Sequence, residues 1–224
     1  MSSFATSWAH QFGVRRPGRI VCVGRNYAAH AQEEGAQAPS EPLLFAKLSN
    51  TVIGPDEPIV LPAASRHVDA EAELALVIAS ACRDLSAERA ASVIAGYTAA
   101  NDVSARDLQF ADGQWFRGKG YDTFCPIQPA VAPLQELAPA LSVVQLLNGE
   151  VLQDGNTSEL IFGLAAIVSY VSQVLTLERG DVILTGTPDG CGYFRDPPLA
   201  LAAGDTVEVR VGGVPSLSNP VVSA

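Results

Sequence analysis

Apolar residues in this chain come mostly in short runs broken by glycine, proline and small polar residues, the spacing of strands rather than of long helices. Arg19–Gly24 (RIVCVG) reads as a strand ended by glycine. Asn26 is placed to cap a short helix, Tyr27 to Glu34, which Gly35 terminates. Leu43–Lys47 is a second strand, and Pro55, Pro58 and Pro62 break the following stretch into turns. Glu71–Ala79 and Gly96–Asn101 read as strands separated by a helix capped by Ser86, and Ser104 stands where it would cap a helix beginning SARDLQ. Ser142–Leu147 and Val151–Gln153 flank Asn148-Gly149, a type I′ hairpin signal. Asn156, Thr157 and Ser158 offer caps to a helix Glu159–Leu175, apolar nearly all round and therefore buried or in a subunit interface. DVILTGTP and the strictly alternating GDTVEVRVGG supply the last strands. Many short strands without βαβ alternation predict a strand-rich α+β domain over residues 19–224, preceded by a short N-terminal extension, residues 1–18.

Two of these strands carry acidic residues that an apolar strand does not ordinarily hold. Residues i and i+2 share a face, so Glu71 and Glu73 lie side by side, continued by Ala75 and Val77, while Ala72, Leu74, Leu76 and Ile78 make the other face apolar too. Adjacent carboxylates repel and are costly to desolvate, and a shared cation removes both penalties. Asp102 ends the next strand and supplies a third oxygen donor. Three carboxylates without a thiol or imidazole suit a hard ion, Mg²⁺ or Mn²⁺, with Ca²⁺ as a stand-in in a crystal.

Composition narrows the partners. The 224 residues are 48% hydrophobic and 17% charged, enough apolar content for a substantial core. A net charge of −10 with no basic cluster argues against nucleic acid or an anionic membrane surface. Leu160 to Val174 is too short and too polar to span a bilayer. Cys22, Cys82, Cys125 and Cys191 are widely spaced with no C-x-x-C, so free thiols in a reducing cytoplasm are expected.

Taken in order, VGRNYAAHAQE, DAEAELALVI, GYTAANDVSARDLQ, GKGYDTFCPIQP, LNGEVLQDGNTSELIF and GDVILTGTPDGCG resemble the fumarylacetoacetate hydrolase family over most of residues 19–193. The compact N-terminus is most similar to its acylpyruvase and fumarylpyruvate hydrolase branch. The resemblance implies a mixed β-roll fold, usually a homodimer, a divalent metal on Glu71, Glu73 and Asp102, and substrates built around an α-keto acid. His30 and Glu33 lie one helical turn apart and can meet on one face; in the family's lid position they look like a catalytic dyad, with Glu34 pointing elsewhere. Lys119, between two glycines, matches the family's active-site lysine and can donate to a carboxylate or to a developing oxyanion. Arg106 and Gln109, three residues apart on one helix, are candidates for the substrate carboxylate, as is Arg25, and Thr187 resembles the family's substrate-contacting threonine. His67 reads as structural, and His10 has no supporting context. Cys191 stands where the family commonly has a small aliphatic residue and Gln128 where it has glycine, both changes expected to alter the pocket's shape.

The resulting expectation is metal-assisted hydrolysis of the carbon–carbon bond of a 3-acylpyruvate such as fumarylpyruvate, with pyruvate leaving as its enolate. Oxaloacetate decarboxylation and keto–enol tautomerisation at the same site are the alternatives. A metal-stabilised binding protein is a third reading, for which His30 and Lys119 would be dispensable.

Overall fold

The computed structural model describes residues 2–135 and 140–224. Two five-stranded sheets form its frame. The first runs Leu43–Lys47, Ile20–Gly24, Val182–Leu184, Ala72–Ile78, Ile94–Asn101, antiparallel except for the parallel pair Ile20–Gly24 with Val182–Leu184. The second runs Glu150–Asn156, Ser142–Leu147, Thr206–Val211, Leu217–Ser223, Ile59–Leu61, with its last pair parallel. This is the strand-rich α+β architecture that the hydrophobic pattern predicts.

Strand Ala72–Ile78 is buried at every position, and its alternation divides the interior. Ala72, Leu74, Leu76 and Ile78 point into one core with Val209, Val211 and Leu217 of the second sheet and the helix Leu164–Val174. Ala75 and Val77 point the other way, into a second core with Phe4, Trp8 and Phe12. Those aromatics come from a helix, Ser3–Phe12, within the stretch expected to be only an extension. Its apolar stripe at i, i+4 and i+8 covers the second face of the sheet, which would otherwise meet water. Ser2 caps it by accepting from the Ala5 N–H, Gly13 closes it at φ +79°, and the Trp8 indole donates to the Gly180 carbonyl at 3.3 Å.

Several local expectations hold. Asn148 and Gly149 both adopt positive φ, +54° and +88°, as a type I′ turn requires. Others fail for identifiable reasons. Asn26 caps no helix: its side chain bonds the Thr185 and Phe162 carbonyls and the Phe162 N–H, stitching two distant segments. The lid helix starts instead after Tyr27 and spans Ala28–Glu33. Ser104 lies in a two-residue ladder with Asp69, so Ala105 precedes the helix Arg106–Asp112. The apolar helix is shorter than expected, Leu164–Val174, because Gly163 starts it and a separate 3₁₀ turn, Thr157–Glu159, uses the Asn156 cap. One face of it is buried, at Leu164, Ile167, Val168 and Val171, and Val174 is exposed. Strand Leu217–Ser223 was hidden by Pro220, which a ladder normally excludes. It is accommodated because pairing to Ile59–Leu61 begins only at Val221.

Trp8 tests whether the N-terminal helix is integral. Trp8→Ala should cost about 3–5 kcal/mol, the range for emptying a large buried aromatic site. Urea unfolding that shows less than ~1 kcal/mol of loss would mean that the helix is a dispensable cover.

Candidate metal and substrate site

The acidic cluster forms where the ends of two strands of the first sheet meet. Antiparallel register sets Ala72 opposite Asn101 and Glu73 opposite Ala100, so the residues flanking these pairs, Glu71 and Asp102, come together, and the Asp102 N–H donates to the Glu71 carbonyl at 2.9 Å. Oxygens of Glu71, Glu73 and Asp102 all lie within 4.8 Å of one another, and all three residues are buried. Three hard anionic donors at that separation fit a divalent cation with oxygen preference.

Cations of the chain itself surround the cluster. Lys119 Nζ donates to Glu71 Oε2 and Asp102 Oδ2, each at 2.9 Å, and Lys47 Nζ reaches Asp102 Oδ1 at 2.6 Å. Arg106 contacts Glu71 Oε1 at 2.6 Å and Asp69 Oδ2 at 3.1 Å. Burial alone would raise the Glu71 carboxyl, but Arg106 and Lys119 outweigh it and hold it at about 2. Glu73 goes the other way: burial, then Asp102 and Glu71, push it well above the usual carboxylate range. The Gly186 N–H, at 2.5 Å from Glu73 Oε2, opposes this only in part. Gly186 holds φ +102°, and a Cβ there would sit 2.7 Å from the Asn26 Cβ, so only glycine presents its N–H at this point.

Beside the carboxylates is a narrow cavity, about 270 Å³ counting solvent at its mouth. His30, Glu71, Glu73 and Lys119 line it together with Arg25, Gln109 and Thr187. Beyond Arg25, Phe45 and Trp115 a wider groove opens to the surface. A Cβ on Gly24 would lie 2.6 Å from the Trp115 ring, so the indole is seated against bare backbone.

The lid helix differs from expectation at Glu34. This residue does not point away: its side chain is 4% exposed, Oε1 lies 3.5 Å from His30 Nε2, and Oε2 lies 2.6 Å from Arg25 Nε. Glu33 takes the other ring nitrogen, with Oε2 at 3.1 Å from Nδ1, and its Oε1 accepts the Gly190 N–H at 2.9 Å. His30 is therefore clasped between two carboxylates. Burial works against charge on the ring, but interaction with Cys191 and hydrogen bonds to Glu33 and Glu34 prevail and raise its pKa. Glu34 is lowered to about 2, because His30 and Arg25 outweigh the cost of its burial.

Lys119 ends a short helix, Phe116–Lys119, with its ammonium on two of the candidate metal ligands. Three further expectations change. Arg106 is fully buried, and its charge is met by Asp69 and Glu71, so it organises the wall behind the cavity rather than a substrate carboxylate. The Thr187 hydroxyl donates to the Ala72 carbonyl and accepts from Gln153, leaving it a weaker contact than expected. Gln128 bonds the Ser216 carbonyl and lines neither cavity nor groove, whereas Cys191 lies 3.8 Å from His30 Nδ1. His67 packs edge-on against Tyr193 and lies outside the cavity, and His10 is exposed on the N-terminal helix. Lys47, Asp69 and Gln153 escaped sequence reading because a strand lysine, an aspartate before an E-x-E pair and a hairpin glutamine carry no local signal.

With this geometry in view, comparison with known proteins is specific. Residues 19–222 match the fumarylacetoacetate (FAA) hydrolase C-terminal family, and the chain belongs to that family. It is 42% identical over 212 residues to mitochondrial oxaloacetate tautomerase Fahd2a of Rattus norvegicus, covering 93% of this chain and 68% of the relative. The structure of 5-carboxymethyl-2-hydroxymuconate delta-isomerase from Mycobacterium smegmatis is similar with a TM-score of 0.83 and 46% identity, over 93% of this chain and 80% of that one. Fumarylpyruvate hydrolase from Pseudomonas aeruginosa, in complex with Mn²⁺ and pyruvate, gives a TM-score of 0.84 at 31% identity, over 93% and 91% of the two chains. Among the described residues no helix is long and apolar enough to cross a membrane.

The raised Glu73 carboxyl makes cation uptake a proton-releasing event, since a ligand must be ionised to bind. A carboxyl raised in the folded state keeps its proton as pH rises past the ordinary range, so Mn²⁺ affinity should increase with pH. Calorimetric titration near neutral pH should yield heats that depend on the buffer's ionisation enthalpy, with about one proton released per ion. Buffer-independent heats would contradict the assignment of Glu73.

Proposed function

From a member of the fumarylacetoacetate hydrolase family with this site, we propose a divalent-metal-dependent enzyme that interconverts the enol and keto forms of a small α-keto diacid of the oxaloacetate type. The observation that carries this reading is His30, set with one ring nitrogen toward Glu33 and the other toward Glu34 and facing the same cavity as the acidic cluster, a setting that favours its protonated form. An imidazole engaged by a carboxylate at each nitrogen is a proton donor rather than a free base.

Glu71, Glu73 and Asp102 would hold the cation, which supplies positive charge for the α-keto acid head and for the negative charge of its enolate. Ketonisation needs the enol O–H proton removed and a proton placed on C3. In this reading the enol O–H proton leaves to solvent at the cavity mouth, His30 gives the carbon its proton, and Glu33, the more exposed of its two partners, returns one from solvent to the ring. Lys119 commits two N–H bonds to Glu71 and Asp102, which leaves its third for the enolate oxygen. Arg25, at the cavity mouth, is suited to the distal carboxylate. The tautomerase and isomerase relatives, whose reactions relocate a proton, lend support, and the narrow cavity favours a short substrate.

Hydrolysis of a 3-acylpyruvate is the second reading, favoured by the structural similarity to fumarylpyruvate hydrolase and by the groove beyond Trp115, which has room for an acyl chain. There Glu33 would accept a proton from water attacking the distal carbonyl, the carbon–carbon bond would break, and His30 would protonate the departing enolate. His30 is the donor in both.

A panel of enol-oxaloacetate and 3-acylpyruvates, with and without chelator, separates the two. Loss of enol absorbance from oxaloacetate without carbon dioxide, together with no acid released from acylpyruvates, is expected. Acid release from an acylpyruvate at a higher kcat/KM would make hydrolysis the function. The donor role has its own pH signature: His30 is raised, so the active protonated form persists above neutral pH and is lost as pH climbs through that value. Glu34→Gln removes one stabilising carboxylate, so the alkaline limb of kcat should move to lower pH; an unmoved limb would exclude His30 as the titrating donor.

A further inference from the structure

Cys191 has no place in either reaction, yet it is completely buried against the proposed proton donor. Its Sγ lies 3.8 Å from His30 Nδ1, and that same nitrogen lies 3.1 Å from Glu33 Oε2. The three ligand atoms all fall within 4.8 Å of one another. Zinc bonds of about 2.0–2.3 Å in tetrahedral arrangement place neighbouring ligand atoms roughly 3.3–3.7 Å apart. These two separations bracket that span and the third, Sγ to Glu33 Oε2, lies within 4.8 Å, so small side-chain shifts would admit an ion.

The framework already holds these groups together. The Gly190 N–H donates to Glu33 Oε1, which fastens the turn before Cys191 to the lid helix, and the Gly192 N–H donates to Asp69 Oδ1 on its other side. Gln153 Nε2 lies 3.4 Å from the sulfur. Burial pushes the thiol up to about 11, so at neutral pH it is a poor nucleophile, and nothing in the pocket gives it a role in covalent chemistry.

We propose that Cys191 Sγ, His30 Nδ1 and Glu33 Oε2 form a second cation site, selective for a borderline or soft divalent ion of the zinc class, and that filling it turns the enzyme off. One sulfur, one imidazole and one carboxylate are a zinc donor set, whereas the three carboxylates of Glu71, Glu73 and Asp102 are a magnesium or manganese set. The two sites thus sort ions by softness. Binding expels the thiol proton and the Nδ1 proton to solvent and involves no change of oxidation state. His30 Nε2 would keep its proton toward Glu34, but a metallated ring no longer cycles between imidazole and imidazolium. The same ion would join the lid helix to the Gly190–Gly192 turn, closing the lid over the cavity. Only the inhibitory consequence rests on the proton-transfer reading above; the binding itself does not.

The test keeps Mg²⁺ saturating and adds Zn²⁺ or Co²⁺ to the intact protein. Wild type should lose activity at Zn²⁺ concentrations at least about tenfold below those that affect Cys191→Ala, each protein being compared with its own activity in Mg²⁺ alone. Co²⁺ should give a thiolate-to-metal charge-transfer absorption in wild type that Zn²⁺ abolishes and that Cys191→Ala lacks. Equal Zn²⁺ sensitivity of the two proteins, or a Co²⁺ band that survives in Cys191→Ala, would overturn the site. Should the variant fold poorly, a wild-type crystal soaked in Zn²⁺ decides: an anomalous peak about 2.3 Å from Sγ is expected, and its absence refutes the proposal. The spectral and crystallographic readouts need no turnover, so failure of the tautomerase reading would leave them intact.

Discussion

Four buried carboxylates, Asp69, Glu71, Glu73 and Asp102, are held within a region that also buries Lys47, Arg106 and Lys119. Like charges about 4 Å apart repel by roughly 4 kcal/mol at an effective dielectric near 20, so this arrangement persists only through pairing. Lys119 bridges Glu71 and Asp102, Arg106 bridges Asp69 and Glu71, and Lys47 takes the remaining oxygen of Asp102. Glu73 is the residue left over: among the described residues its hydrogen bond is to a backbone N–H, not to a cation. With all four ionised, four negative charges against three positive would leave a deficit at Glu73, which a retained proton offsets and which a divalent ion would offset in its place. With the ion bound the balance turns to one excess positive charge, a setting suited to a dianionic substrate in a protein that is otherwise strongly acidic.

The fold keeps water from dissolving this balance. Strand Ala72–Ile78 has an apolar core on each face, one shared with the second sheet and one closed by the N-terminal helix, so its carboxylate end emerges from a low-dielectric slab. Charges there interact more strongly than they would on a surface. The lid helix is the contrasting element. It is six residues long, too short to be stable alone, and is held by what its side chains touch: Glu33 to Gly190, Glu34 to Arg25, and His30 to both glutamates. In the proposed reaction, the state of the proton donor and the placement of this helix therefore depend on the same few bonds.

How much of this the sequence disclosed follows from the range of each signal. Period-two alternation placed Glu71 and Glu73 on one face, and the same alternation names the two cores, since the even and odd positions of that strand do separate between them. The i, i+3 spacing brought His30 and Glu33 together. Glu34 is misjudged when only the i, i+3 partner is weighed: residues at i+3 and i+4 both share a helical face with residue i, and here both carboxylates reach the ring, one at each nitrogen. Arg106 was legible as a helix residue, but its burial was not, because its partners Asp69 and Glu71 come from the strand region that packs against that helix. Lys47 belongs to a strand whose relation to Asp102 is purely tertiary. Pairings that cross the fold leave no periodic trace in the chain.

Gly24 sits at the division between cavity and groove, its missing side chain filled by the Trp115 ring. Any larger residue there would evict the indole and run the two spaces into one. The bore of the pocket is consequently set by an atom that is not present, at a position distant from every charged group of the acidic cluster along the sequence. A side chain introduced at that single position would change the length of molecule the pocket admits without touching any carboxylate, so the acidic motif by itself does not set substrate size.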